Sequence, residues 1–88
     1  MSWVCEFSAD AEKDLKDLPK AIQQRVARVL TQMAIDPFQG NVIALQGDDW
    51  KGVFRRRIGD YRLLFKAVHE KNSVIVVRIL LRSGKTYR

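Results

Sequence analysis

Two β-rich runs, Val53–Ile58 and Tyr61–Val68, are separated by a Gly59-Asp60 pair. A two-residue loop with glycine first is the signature of a type II′ hairpin. Its length fixes the register of both strands, because side chains alternate between faces with a period of two. With Gly59 and Asp60 as the loop, Ile58 faces Tyr61, Arg57 faces Arg62, Arg55 faces Leu64, Phe54 faces Phe65 and Val53 faces Lys66. Directly opposed residues share a sheet face. Phe54, Ile58, Tyr61, Leu63 and Phe65 therefore form one apolar face, and Arg55, Arg57, Arg62 and Lys66 form a basic one. Arg56 falls on the apolar side, where its stem must reach outward at the sheet edge.

The rest of the chain supplies a cover for the apolar face. Trp3 to Phe7 reads as a short strand. Ser8 is a helix N-cap candidate, followed by Asp10 and Glu12 where the helix dipole favours acids. A first helix is predicted over residues 9–17, and Pro19 suits the first turn of a second. There Ile22, Val26, Val29, Leu30 and Met33 form a core-facing stripe at helical spacing. Asp36-Pro37 ends that helix, since proline disfavours a helical residue before it. Residues 38–50 read as a connector, and Val74 to Leu81 as the last strand. The expected fold is α+β in the order β-α-α-β-β-β, a helical hairpin on an antiparallel-type sheet. The 88 residues are expected to make one domain.

Register is open in one place. A three-residue loop at Glu70 to Asn72 pairs Leu64 with Arg78 and adds Arg78 and Arg82 to the basic face. A two-residue loop inverts that strand.

Charge is split along the chain. Residues 1–49 hold five Lys/Arg and eight Asp/Glu, a net −3, whereas residues 50–88 hold eleven and two, a net +9. The basic half calls for an anionic partner, with nucleic acid or an acidic protein ahead of a membrane surface, because the cations alternate along strands. No apolar run approaches the ~18 residues of a membrane-spanning helix. The opening MSWVCEFSADAEKD has no basic region leading an apolar core, so no secretory signal is expected. The one cysteine, Cys5, cannot form an internal disulfide, which suits a reducing cytoplasm. Neither a cysteine pair nor a His/Cys cluster is present for structural zinc, and no cofactor is expected.

Arg57 opposite Arg62 is a like-charge pair that costs about 0.2–1 kcal/mol. Fixed guanidinium forks on a rigid sheet suit a phosphate oxyanion. His69 lies at the far end of its hairpin and reads as a surface histidine; Trp3 and Trp50 read as packing residues.

The segments FSADAEKDLKDLPKAIQQRV, ALQGDDWKGVFRRRIGDYRLLF and VIVVRILLRSGKTYR, in this order and spacing, resemble the RelE/ParE superfamily of bacterial toxin–antitoxin toxins, and its RelE-like branch in particular. The core from Trp50 to Arg62 is the most distinctive part. The resemblance implies a microbial RNase-like fold and ribosome-dependent cleavage of mRNA in the decoding site, without a metal. The 2′-hydroxyl would attack the adjacent phosphate, leaving a 2′,3′-cyclic phosphate and a 5′-hydroxyl. It implies a cognate antitoxin as partner. Carried over by motif, the catalytic positions fall on Arg55, Arg57, Arg62, Arg82 and Tyr87. Lys66, Arg78, Lys85 and Arg88 are the accompanying RNA-binding cations. Two departures bear on activity. Relatives often carry a lysine on the strand that here holds Arg55 and Arg57. The end of the last strand reads Arg78-Ile-Leu-Leu-Arg82 where many relatives have Gly and His. A gyrase-binding ParE-like toxin and an inactive antitoxin-binding member are the alternatives.

An arginine side chain keeps its proton throughout the working range and is no practical base. The four arginines can orient and neutralise phosphate, which leaves Tyr87 and Lys85 for proton transfer. Tyr87 can instead stack on a base.

Overall fold

A computed structural model describes residues 2–40 and 42–81. Five strands form one sheet in the order β1-β5-β4-β3-β2, with two helices against one face. The strands are β1 (Val4–Phe7), β2 (Val42–Ala44), β3 (Val53–Ile58), β4 (Tyr61–Val68) and β5 (Ser73–Leu81); the helices are α1 (Ala9–Lys16) and α2 (Lys20–Ile35). Among the described residues no helix is long and apolar enough to cross a membrane.

The hairpin register is the one that the loop length dictates, from Val53↔Lys66 through Arg57↔Arg62 to Ile58↔Tyr61. Gly59 closes it at φ +58°, a backbone conformation that glycine adopts without cost. Ser8 caps α1, accepting the Ala11 N–H at 3.1 Å. Its hydroxyl donates to the Val77 carbonyl at 2.7 Å, tying the helix start to β5. The N-cap of α2 is Pro19 itself, one residue before the position expected for it.

Two features depart from the sequence reading. The sheet is mixed, because β1 pairs in parallel with β5. The residues read as a connector contain β2, which pairs antiparallel with β3 from Ala44↔Phe54 to Val42↔Arg56. Three residues are too few to display a period, and the edge position leaves Ile43 about half exposed.

The open register of β5 resolves into both alternatives. Next to its turn, β5 pairs Val68↔Ser73 and Phe65↔Val76; beyond a bulge it pairs Leu64↔Arg78 and Leu63↔Ile79. The turn itself is a 3-10 turn at His69–Lys71, closed by Asn72 in the left-handed region at φ 49°. The bulge leaves Val77 without a partner on β4. An extra residue on one strand switches parity at that point. Val74 and Val76 thereby enter the core on one side of it and Ile79 on the other, while Arg78 stays opposite Leu64.

The core lies between this face and the helices. Phe65, Leu63, Met33 and Val26 are fully buried there, with Ile22, Val29 and Leu30 half-buried around them. Cys5 is half-buried beside α2, its Sγ 3.8 Å from the Leu30 carbonyl, and burial pushes its thiol up. That is a packing cysteine rather than a nucleophile.

Candidate nucleic-acid interface

Arg55 and Arg57 from β3 and Arg62 and Lys66 from β4 lie on the sheet face turned away from the helices. Leu64 is fully buried on the same face. It is flanked in register by Arg55 and Arg78 and along its strand by Arg62 and Lys66. The Nε atoms of Arg55 and Arg62 are themselves buried, so these side chains lie along the sheet instead of standing off into solvent. Long basic side chains commonly behave this way, covering apolar surface with the stem. Arg55 Nε has no hydrogen-bond partner among the described residues. A buried donor without a partner costs about 1–3 kcal/mol and is relieved by an incoming acceptor.

Arg78 shares this face by register but is committed elsewhere. Its Nε and Nη2 donate to Asp14 at 2.8 and 3.2 Å. The Ile79 N–H donates to the same carboxylate at 2.9 Å. The cause is topological. β1 covers β5 only from Ser73 to Val76, so the N–H of Ile79 faces an open edge that α1 fills with Asp14. Burial opposes ionisation of Asp14, but the bonds from Arg78 and Ile79 and the Arg78 charge outweigh it and hold the carboxyl below its ordinary value. Arg78 thus borders the basic face with two donors already engaged.

Arg82, Lys85, Tyr87 and Arg88 lie outside the described residues.

Sequence reasoning did not locate a second cationic group. Arg25 and Arg28 of α2 lie off the core-facing stripe of that helix, and they meet Arg56 and Arg57 across a cleft of about 270 Å³. Arg56 does reach outward at the sheet edge, donating to the Gln39 carbonyl at 2.6 Å and to Gln32 Oε1 at 2.8 Å. The helical spacing of Arg25 and Arg28 was visible in the sequence, but the packing angle that sets them over β3 was not. His69 is exposed, as expected, but its ring stacks on Phe38 at 5.9 Å and meets the Trp3 edge at 5.4 Å.

A five-stranded sheet with two helices on one face and a guanidinium array on the other defines a small basic α+β protein of the RelE toxin fold. The toxin–antitoxin complex RelBE2 of Mycobacterium tuberculosis contains a chain 26% identical to this one, with TM-score 0.82, over 93% of this chain and all of that one. The archaeal RelE–RelB complex of Pyrococcus horikoshii OT3 gives 23% identity and TM-score 0.79, over 96% of this chain and 99% of that chain. The isolated Escherichia coli RelE toxin gives 18% and 0.78, over 96% and 88%. A comparison with curated proteins found no match. Residues 5–85 match the family model described as the ParE toxin of the type II toxin–antitoxin system parDE. The chain belongs to this toxin family, within the RelE/ParE superfamily.

Proposed function

We propose that this toxin is a ribosome-dependent endoribonuclease that cleaves mRNA in the decoding site by 2′-hydroxyl attack and so inhibits translation. The observation that carries the reading is the face on which Arg57 stands opposite Arg62, with Arg55 and Lys66 beside them. Guanidinium forks held on a sheet match the charge that develops on a phosphate during in-line attack. In this scheme Arg55, Arg57, Arg62 and Arg82 bind and neutralise the scissile phosphate. Tyr87 stacks on the flanking base or moves a proton. Lys66, Lys85 and Arg88 hold neighbouring phosphates, and Arg78 contributes at the border. Neither a metal nor a cofactor takes part, and the 88 residues act as one toxin domain in the cytoplasm.

The partner in this proposal is a cognate antitoxin, in a hetero-oligomer of the kind crystallised for RelBE2 and for the archaeal RelE–RelB pair. An acidic or amphipathic segment of it would cover the arginine face.

Toeprinting of mRNA in a translation reaction with added protein tests the reading. New truncations within the ribosomal A site are expected. The match to the ParE family model favours a second reading, inhibition of gyrase on the same fold. Loss of supercoiling activity without mRNA truncation would establish that one instead. Tyr87→Phe and Tyr87→Ala then divide the tyrosine's roles in single-turnover cleavage. Stacking, worth about 1–3 kcal/mol per base, survives in the first variant and is lost in the second. A proton-transfer role, worth about 10²–10⁴-fold, is lost in both.

A further inference from the structure

The cleft between α2 and the end of β3 has an unusual wall composition. Arg25 and Arg28 reach it from one helical turn, Arg56 and Arg57 from consecutive strand positions, and the apolar contribution is limited to Val29 and Ile58. None of the four arginines forms an ion pair with a described carboxylate. Four cations sharing about 270 Å³ repel one another, and only exposure to water and salt moderates the cost.

One of the four is held in place. Arg56 is fixed by its bonds to Gln39 and Gln32. Arg25 lies directly over the hairpin turn, where a Cβ added to Gly59 would stand 2.6 Å from Arg25 Nη1. Arg57 joins two surfaces. It stands opposite Arg62 on the sheet face and also lines the cleft. Arg57 therefore links Arg62 on the sheet face to Arg25 and Arg28 of α2.

We propose that this cleft is a phosphodiester-backbone site, which holds phosphates of single-stranded RNA as the strand leaves the sheet face and passes over β3. The site supplies forked donors, which suit phosphate oxygens, and a track that continues around a corner, which suits a ligand charged at every residue. An acidic peptide would need apolar pockets for its other side chains, and the half-buried Val29 and the buried Ile58 provide little of that. The inference rests on RNA being the ligand of the sheet face but does not require that the RNA be cleaved.

The test is binding of the full chain to a short single-stranded RNA carrying 2′-O-methyl groups, which cannot undergo 2′-hydroxyl attack. Affinity is read by fluorescence anisotropy across a salt series. Each single-strand phosphate contact contributes about 0.7 to the slope of log affinity against log salt. The pair Arg25→Gln/Arg28→Gln is expected to flatten that slope by about 1.4 with an unchanged melting temperature. Arg25→Lys/Arg28→Lys retains the charges, restores the slope, and guards against a folding defect in the first variant.

An unaltered slope in the glutamine pair overturns the proposal. So does loss of poly-glutamate binding with RNA binding intact, which would make the cleft a protein-docking site. Arg62→Gln separates the two readings. If it weakens RNA binding and the glutamine pair does not, the cleft falls and the sheet face stands. If the glutamine pair flattens the slope while the parent protein leaves ribosome-bound mRNA whole, the cleft stands and the nuclease reading falls.

Discussion

Adjacent arginines at positions 55 to 57 have different tasks because strand geometry sends them to different places. Arg55 and Arg57 share a face with Arg62, whereas Arg56 turns to the helix side and holds Gln32 and Gln39. Under the proposed nuclease function, Arg62→Gln should lower mRNA cleavage by about 10²-fold or more, as removal of one oxyanion-stabilising donor does elsewhere, with the fold unchanged. Arg56→Ala should lower cleavage by less than Arg62→Gln does and should cost about 0.5–1.5 kcal/mol for each lost hydrogen bond, seen as a lower denaturation midpoint. Equal loss of toxicity in both variants at unchanged stability would contradict this division. Asp14 offers a second residue-level test. Its carboxyl is held low by Arg78 and Ile79, so the folded state binds the proton less readily than the unfolded chain. The stability from this contact is fully present above the unfolded carboxyl value, near about pH 4, and is lost as pH falls through the lower folded value. Asp14→Asn should destabilise the protein at neutral pH by about 1–2 kcal/mol, since Arg78 is partly exposed and the pair is screened. The gap between the variant and the parent should close in acid, as urea unfolding across pH would report.

At the scale of elements, the hairpin turn and the bulge place the cations. Gly59 and Gly52 both have positive φ, at 58° and 80°. They differ in surroundings, since among the described residues none but its chain neighbours lies within 4 Å of a Cβ built on Gly52, whereas Gly59 sits under Arg25. Gly52→Ala should cost only the backbone term, about 1–2 kcal/mol. Gly59→Ala should cost more and should also displace Arg25, so that its penalty shrinks in an Arg25→Ala background. Additive penalties in that double-mutant cycle would show that the close approach carries no energy. The bulge at Val77 performs the other service. Without the change of parity, either Val76 or Ile79 would have to leave the core.

For the whole molecule, charge is segregated in sequence and again in space. The helices and β1 come from a half with net −3, and the paired β3–β5 strands from a half with net +9. If an acidic antitoxin segment covers the arginine face, its association should be steered electrostatically and slow markedly as salt rises. Stopped-flow association rates across ionic strength check this. Rates insensitive to salt would point to an apolar contact instead, for which Phe38 and the strongly exposed Ile35 at the end of α2 are candidates.

Much of this arrangement was legible along the chain because it depends on local rules. The Gly59-Asp60 loop determined six cross-strand pairs, and with them the face of every residue from Val53 to Ile58. Ser8 marked a helix start, and the stripe from Ile22 to Met33 marked the face it buries. Relations between elements distant in the chain were not legible. The parallel pairing of β1 with β5 joins residues about 70 positions apart, and neither strand encodes its neighbour. A three-residue edge strand such as β2 is too short to carry a period. The bulge arises because two runs of β5, each with correct alternation, must both meet one core. The commitment of Arg78 to Asp14 and the meeting of Arg25 and Arg28 with Arg56 and Arg57 depend on how the helices dock. Alternation and turn length determine which face a side chain takes, but only close packing of helices on the sheet decides which charges become neighbours.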